Sequence, residues 1–333
     1  MSLELKKFDM KSISFKSNES KGPVIVLIGK RDTGKSFLVR DLLYYQQDIP
    51  IGTVISGTEE GNGFYGKMVP RLFIHNEYNT AIIENILKRQ RTVLKQIKKE
   101  IETYKRTTID PRAFVILDDC LYDNTWSRDK MMRLLFMNGR HWKIMLVITM
   151  QYPLGIPPTL RTNIDYVFIL RENYIANRRR IYDNYAGMFP TFDSFRQVFS
   201  ELVSDYGCMV IDNRSQTENP LEKIFWYKAE DLTGVKKMIG GKQFLKFHHY
   251  NYNKDWRNKE RQYDFVAWTN NIKKNKSIIK VEKEELDENG NVIDRKEKST
   301  NNFNKQHQRN YNQSAGQYGQ YGQYGQYSQY GNF

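Results

Sequence analysis

The residues with the clearest capacity for chemistry are eight near the start of the chain, which run Gly-Lys-Arg-Asp-Thr-Gly-Lys-Ser. They match the phosphate-binding pattern G-x-x-x-x-G-K-[ST] at every fixed position. In such a loop the glycines let successive backbone N–H groups point at phosphate oxygens, and the following helix adds its positive end. Lys35 would reach the β- and γ-phosphates, and the Ser36 hydroxyl would bind Mg²⁺. The predicted nucleotide contacts are Gly29, Lys30, Arg31, Asp32, Thr33, Gly34, Lys35, Ser36 and Phe37.

Two adjacent carboxylates, Asp118 and Asp119, follow the apolar run 113–117. Such a run predicts a buried strand, which delivers both acids to its carboxyl end. In enzymes with this phosphate loop, the first carboxylate holds Mg²⁺. The second is placed to polarise the water that attacks the phosphate. We therefore expect Asp118 to bind the metal and Asp119 to take part in catalysis.

A polar amide, Gln151, stands at the end of another apolar run, residues 144–149. At the carboxyl end of a strand this amide would lie between the phosphate loop and the attacking water. The alternative is a strand-end glutamine that only hydrogen-bonds a neighbouring loop. From its position alone both roles of Gln151 stay open, and the residue is our candidate for a catalytic amide.

Strand and helix patterns supply the elements that must position these residues. Buried strands are predicted at 24–28, 51–56, 113–117, 144–149 and 165–170, with a closing pair at 208–212 and 224–227. Helices are predicted directly after the phosphate loop and at 79–106, 128–138, 174–185 and 192–203. Strands that alternate with helices predict an α/β fold, with a mainly parallel sheet flanked by helices.

Two further stretches have open interpretations. The loop 57–63 is rich in glycine and acid, and it follows a predicted strand at the edge where open α/β sheets bind ligands; it would otherwise be a mobile surface loop. The helix at 79–106 has lysines and arginines along one side. That side would contact nucleic-acid phosphates or would simply be solvated.

The composition points to a basic protein from a reducing compartment. The 333 residues have a formal net charge of +14, which favours a polyanionic partner, although solubility alone would also account for it. The two cysteines, Cys120 and Cys208, form neither a metal pattern nor a disulfide framework. The sequence has no apolar run of the length of a signal peptide core or a membrane span, so we expect a soluble intracellular protein.

Changes in composition divide the chain into four parts. We predict an N-terminal arm at 1–22, with a short edge strand formed by Phe8, Ile13 and Phe15, and an ATPase domain at 23–235. An extension at 236–300 follows, and its residues 236–283 contain 13 Lys/Arg, 4 Asp/Glu and interspersed aromatics. Such a segment would bind nucleic acid or a partner, or would form a small core of its own. Residues 301–333 are a Gly/Gln/Tyr tail of the kind that stays disordered.

Taken together, these motifs resemble the DNA-packaging ATPases of large nucleocytoplasmic DNA viruses, in the FtsK–HerA branch of P-loop proteins. The resemblance covers about residues 20–230. It rests on the phosphate loop, on Asp118-Asp119, on the run from Asn138-Gly139-Arg140-His141 to Gln151, and on residues 155–166. Many members of that branch have Asp-Glu where this chain has Asp118-Asp119, so the second acid has a shorter reach here.

The resemblance implies a RecA-like core and an ATP-driven motor that packages double-stranded viral DNA into a capsid. It also implies ATP and Mg²⁺ as cofactors, and a homo-oligomeric ring of five or six subunits with the ATP sites between neighbours. Capsid or portal-vertex components would be partners, and the host cytoplasm at virus factories, with the virion as a further site, would be the location. Arg140 would be the finger that reaches a neighbour's γ-phosphate, with Arg161 as the second candidate.

Two other functions are compatible with the phosphate loop. A nucleotide or small-molecule kinase would need a lid and an acceptor pocket, and no arginine-rich lid stands out in the sequence. A nucleotide-gated scaffold would bind ATP without turnover and would tether nucleic acid or capsid through its basic extension.

Overall fold

The computed structural model describes residues 4–16, 21–120, 124–217, 219, 222–235 and 237–253. The predicted tail at 301–333 and most of the predicted extension lie outside these residues.

One eight-stranded sheet organises the described part of the chain. Its strands are β1 (Val24–Ile28), β2 (Ile51–Ser56), β3 (Ile74–His75), β4 (Ala113–Asp118), β5 (Ile144–Met150), β6 (Tyr166–Ile169), β7 (Gly207–Asp212) and β8 (Ile224–Lys228). Their spatial order is β3-β2-β4-β5-β1-β6-β7-β8. The strands from β3 to β6 in this order are parallel, whereas β7 is antiparallel to both of its neighbours. The predicted α/β class and the mainly parallel sheet are confirmed.

Helices follow most of the strands in the described residues. They are α1 (Lys35–Tyr45), α2 (Glu59–Asn62), α3 (Thr80–Tyr104), α4 (Lys130–Asn138), α5 (Pro158–Arg161), α6 (Ile175–Tyr185), α7 (Phe192–Leu202) and α8 (Lys242–Asn251). Side-chain caps mark where several of them begin. Asn79 accepts the Ala81 N–H before α3, and Asp129 accepts the Met131 and Met132 N–H groups before α4.

The alternation of side chains along the strands builds two hydrophobic cores, one on each face of the sheet. On β1, Val24, Val26 and Ile28 join a core that includes residues of α3, α4, α6 and α7. Ile25 and Leu27 point to the opposite face, where α1 and the N-terminal arm cover the sheet. Because β1 is buried on both faces, it is apolar along its whole length and appears in the sequence as an uninterrupted apolar run.

The N-terminal arm is not the edge strand that its apolar residues predict. Lys7 forms a single parallel bridge with Trp226 of β8, and a short 3₁₀ turn, Met10–Ser12, follows. Phe8, Ile13 and Phe15 are buried nonetheless, because they pack into the core beside α1. The arm is held mainly by side-chain burial rather than by a ladder of backbone hydrogen bonds.

The segment after residue 235 contacts the core of the preceding domain. The N–H of Ile239 donates to the Met68 carbonyl over 2.7 Å, and the ring of Phe244 on α8 lies 4.3 Å from that of Phe73. Both Ile239 and Phe244 are buried. The described residues 237–253 therefore pack on the domain that precedes the predicted boundary.

Candidate nucleotide-binding site

The phosphate loop connects β1 to α1 at the carboxyl edge of the sheet. The Gly29 N–H donates to the Met150 carbonyl over 3.0 Å, which ties the start of the loop to the end of β5. A β-carbon on Gly29 would stand 2.7 Å from Thr33 Oγ1 and 2.9 Å from Leu170 Cβ, so only glycine fits this turn. Gly34, directly before α1, has φ of +97°, a conformation that glycine adopts without steric cost. The predicted strand, glycine loop and helix are present in this order.

The Lys35 side chain folds back over the loop from the first turn of α1. Its ammonium donates to the Gly29 carbonyl over 2.6 Å and to the Lys30 carbonyl over 3.0 Å, and it lies 3.7 Å from Asp119 Oδ2. Only 7% of the residue is exposed, and this burial lowers the pKa of the ammonium, against the opposing pull of Asp119 and Asp118. The two carbonyl groups and Asp119 thus hold the shielded ammonium at the loop, where the phosphates of a nucleotide would bind.

Asp118 ends β4 as a buried acceptor with two hydroxyl donors. Ser56 Oγ donates to its Oδ2 over 2.9 Å, and Thr149 Oγ1 donates to its Oδ1 over 2.7 Å. Burial raises the pKa of the carboxyl, although both hydroxyl groups favour the charged form. The hydroxyl of Tyr65 faces the same carboxylate; it is buried and has no hydrogen-bond partner at ordinary distance among the described residues.

These groups fit a magnesium ion of the kind that serves nucleotide phosphates. Mg²⁺ at such sites takes one or two protein oxygens together with waters and phosphate oxygens. Asp118 supplies a preorganised carboxylate, Ser36 a hydroxyl at the start of α1, and the unpartnered Tyr65 hydroxyl a group for a metal-bound water. Among the described residues no three His, Cys, Asp or Glu side chains form a metal cluster, and this type of site does not require one.

Asp119 turns out of the strand in a left-handed conformation, with φ of +45°. Its N–H donates to Thr149 Oγ1 over 3.1 Å, and its Oδ2 accepts the Gln151 amide over 3.0 Å. Thus Lys35, Asp119 and Gln151, which the sequence predicts as catalytic residues, lie together beside the phosphate loop. A left-handed aspartate is uncommon, and such strain concentrates at functional sites.

Several polar residues of this site were missed by sequence reasoning. Ser56 ends β2 and Thr149 is the last but one residue of β5, the two strands that flank β4. The only signal for them in the sequence is that each is a hydroxyl residue at the end of an apolar run. Glu59 begins α2, the short helix within the acid-rich segment 57–63, and its carboxylate accepts the N–H groups of Tyr65 over 2.7 Å and Gly66 over 2.8 Å. The acid-rich loop therefore contributes by holding Tyr65 over Asp118.

Arg140 lies at the opposite edge of the sheet. Its carbonyl accepts the Gly22 N–H, and its guanidinium Nη2 pairs with Asp165 Oδ2 over 2.9 Å, where Asp165 also accepts the Val24 N–H. The whole of β1, about 16 Å at the usual rise per residue, separates this end from the phosphate loop. Arg140 therefore cannot reach the phosphate loop of its own chain.

Arg140 and Arg161 share one cleft at that edge, with a volume of about 740 Å³. Arg214 lines the same cleft, together with Asp165 and Asp183. The Nε of Arg140 is buried and has no partner among the described residues, and Arg161 hydrogen-bonds Asn184. Arg140 and Arg161 thus border one surface at the end of the sheet opposite the phosphate loop.

Known relatives of this chain come from several viruses. It is 39% identical over 289 residues to the uncharacterized protein L437 of Acanthamoeba polyphaga mimivirus, which covers 85% of this chain and 97% of the relative. It is 38% identical over 237 residues to the uncharacterized protein 075L of Invertebrate iridescent virus 6, covering 71% of this chain and 88% of that one. The chain belongs to this family of proteins from large DNA viruses. No family model matches it.

Solved structures with a similar fold include a genome-packaging enzyme. The genome packaging NTPase B204 of Sulfolobus turreted icosahedral virus 2, in complex with ATP-γS, aligns at a TM-score of 0.40 with 16% identity, over 62% of this chain and 97% of that one. The pCW3 conjugation coupling protein TcpA aligns at 0.46 with 15% identity, over 74% and 75%. At these scores the fold assignment rests on the strand order itself.

In the described part of the chain no helix combines the length and the apolar composition that a membrane span needs.

Proposed function

We propose that this protein is an Mg²⁺-dependent ATPase that translocates double-stranded DNA and packages the viral genome into a capsid. The observation that carries the proposal is the meeting of Lys35, Asp119 and Gln151 at the phosphate loop, next to the buried acceptor Asp118. Membership of a family found in large DNA viruses and the resemblance of the motifs to packaging ATPases supply the biological setting.

The chain's own residues divide the work of hydrolysis. The loop N–H groups and Lys35 would bind the β- and γ-phosphates, and Lys35 would exchange its carbonyl contacts for phosphate oxygens. The Asp119 carboxylate would accept a hydrogen bond from the attacking water, and the Gln151 amide would hold that carboxylate and the water in line. Mg²⁺, held by Ser36 and Asp118, would neutralise charge on the β- and γ-phosphate oxygens.

The position of the two arginines supports completion of the site by a neighbouring subunit. The cleft with Arg140 and Arg161 lies at the edge opposite the phosphate loop, so a head-to-tail ring would bring it to the neighbour's γ-phosphate. An arginine supplied in this way increases the rate of phosphoryl transfer by about 10³–10⁵ in other systems. We propose Arg140 as this residue, with Arg161 as the second candidate, in a ring of five or six subunits.

The test compares ATP hydrolysis with and without duplex DNA. We expect DNA to stimulate the wild-type ATPase, and Lys35→Ala to abolish hydrolysis in both conditions, because the loop then lacks its cation. Lys11→Ala changes an exposed lysine on the 3₁₀ turn and is the matched control, with activity expected to remain at the wild-type level.

Three results would contradict the proposal. Full activity in Lys35→Ala would exclude the site, and phosphate transfer to a small acceptor rather than to water would indicate a kinase. ATP binding without turnover in the presence of duplex DNA, under conditions in which a ring is observed by mass photometry, would indicate a nucleotide-gated scaffold.

A further inference from the structure

We propose that Tyr206 binds the base of the nucleotide, by stacking its ring on the purine of a nucleoside triphosphate. This inference rests on the proposed function, because it assumes that the phosphate loop binds a nucleotide. It concerns the base of the ligand, which the phosphate loop, Asp118, Asp119 and Gln151 do not contact in the proposed function.

The order of the strands sets the direction in which the nucleotide leaves the phosphate loop. Asp118, Asp119 and Gln151 follow β4 and β5, which lie on one side of β1. These residues mark the γ-phosphate end of the ligand. The α-phosphate, the sugar and the base must therefore extend towards the other side of β1, where β6 and β7 lie.

Tyr206 occupies that side of the loop. Because β7 is antiparallel to β6, the first residues of β7 lie beside the carboxyl end of β6, at the edge of the phosphate loop. Tyr206 precedes β7 directly, and its Cδ1 lies 3.8 Å from the place where a β-carbon on Gly34 would stand. The residue is 68% exposed, so most of its surface is open for a ligand.

The backbone at this corner is held in an unfavourable conformation. Asp205 and Tyr206 both have positive φ, of +46° and +59°, although neither is a glycine. An ion pair between Asp205 and Lys228 of β8 fixes one side of the corner. On the other side Gly207 lies against the turn after α7, since a β-carbon there would stand 2.3 Å from the Leu202 carbonyl oxygen. A bulky aromatic residue at such a position costs stability, and its exposed ring gains no burial in return.

Other exposed aromatic residues near the loop are less suited to this contact. The ring of Tyr174 is covered by the Lys30 ammonium, 3.4 Å from its centroid, and Glu172 anchors that ammonium at 2.8 Å. The ring of Phe37 has the Arg40 guanidinium 5.6 Å from its centroid. No cation lies over the Tyr206 ring among the described residues.

The test measures the binding of two ligands that differ in whether they carry a base. We expect Tyr206→Ala to weaken the binding of the non-hydrolysable ATP analogue AMPPCP by about 5- to 140-fold, the range of aromatic–base stacking, in isothermal titration calorimetry with Mg²⁺. Inorganic tripolyphosphate has no base for the ring to contact. Its binding affinity should therefore change less than about twofold. Tyr206→Phe keeps the ring and should bind AMPPCP like the wild type.

The controls separate this inference from the proposed function. Tyr104→Ala removes an equally exposed tyrosine at the end of α3 and should leave both ligands unaffected. Equal losses for AMPPCP and tripolyphosphate in Tyr206→Ala would overturn the inference, as would unchanged AMPPCP binding. If Lys35→Ala binds AMPPCP as well as the wild type does, the proposed function itself fails, whatever Tyr206→Ala shows.

Discussion

At the scale of single residues, two neighbouring aspartates have different environments. Asp118 is buried and accepts two hydroxyl groups, whereas Asp119 is partly exposed and is turned by its left-handed backbone towards Lys35 and Gln151. The first carboxylate is fixed in place before any ligand binds, as a metal-binding group should be. The second faces the space next to the phosphate loop, where a water can reach it. Adjacent acids of one type can therefore perform different tasks.

The burial of Asp118 leads to a prediction in which stability and activity change in opposite directions. We expect Asp118→Asn to abolish ATP hydrolysis, because the amide does not bind Mg²⁺ as a carboxylate does. We also expect it to raise the free energy of unfolding at pH 7 by roughly 0.5–2 kcal/mol, the usual size of one stabilising substitution. One of the two hydroxyls of Ser56 and Thr149 can rotate to accept from the new amide NH₂, while the other continues to donate to the amide oxygen. Chemical denaturation and an ATPase assay on the same preparation measure both changes.

The pH dependence of this stability difference has a definite sign. Burial raises the folded-state pKa of Asp118, so between the unfolded value and the folded value the native state binds more protons than the unfolded state. The wild-type stability contributed by this group therefore falls as the pH rises through that window. We expect the advantage of Asp118→Asn to be absent at pH values below the window and complete above it. An advantage that grows towards lower pH would contradict the burial argument.

At the scale of elements, the register of three strands assembles the metal side of the site. Ser56, Asp118 and Thr149 are direct partners across β2, β4 and β5. They form one row of polar side chains at the carboxyl edge, next to the phosphate loop. A shift of one residue in either pairing would turn a side chain to the opposite face. The positions of these three side chains therefore depend on the pairing of β4 with its neighbours, including β2.

Gly52 is the position where that packing is tightest. It is the partner of Phe114 across β2 and β4, and a β-carbon on Gly52 would stand 2.0 Å from the Phe114 ring. We expect Gly52→Ala to lower the free energy of unfolding by about 1–3 kcal/mol through overpacking, and to reduce ATPase activity by shifting the row that contains Asp118. Urea denaturation measures the first effect.

The control for Gly52 is a glycine with open space around it. No atom lies within 4 Å of a β-carbon placed on Gly61 in α2, so we expect Gly61→Ala to be neutral or slightly stabilising. Combining Gly52→Ala with Phe114→Leu should recover part of the loss, because the smaller side chain gives the methyl group room. If the double variant is less stable than the sum of the single changes, the contact with Phe114 is not the cause.

At the scale of the whole molecule, the sequence predicts what is local and leaves out what depends on the lateral order of strands. The runs that became β1, β2, β4 and β5 are recognisable because buried parallel strands are apolar throughout. Nothing local shows that β5 lies between β4 and β1, although this order is what brings Gln151 to Asp119. Tyr65 and Tyr206 lie in short 3₁₀ turns that reach the site only through the tertiary fold, so their sequence context carries no signal.

The C-terminal part of the chain permits a prediction about which of its residues stabilise the folded domain. Ile239 and Phe244 are buried on the core, so a chain that ends at Val235 leaves an apolar surface uncovered. Full burial of such a side chain contributes about 1.5–3 kcal/mol. We expect truncation after Val235 to lower the melting temperature, and truncation after Asp255 to leave both the melting temperature and the basal ATPase unchanged.

The same pair of truncations tests the basic segment that follows. Residues 256–283 contain eight Lys/Arg and three Asp/Glu with interspersed aromatics, a composition that binds phosphates without sequence preference. Truncation after Asp255 should therefore weaken duplex DNA binding. The slope of log K against log salt concentration should become less negative by about 0.9 for each DNA phosphate that this segment neutralises in the full-length protein. If affinity and slope both stay at the wild-type values, the DNA must bind to the ATPase domain itself. The next surface to change is then the basic side of α3, where Lys88, Arg91, Lys95 and Lys98 are exposed.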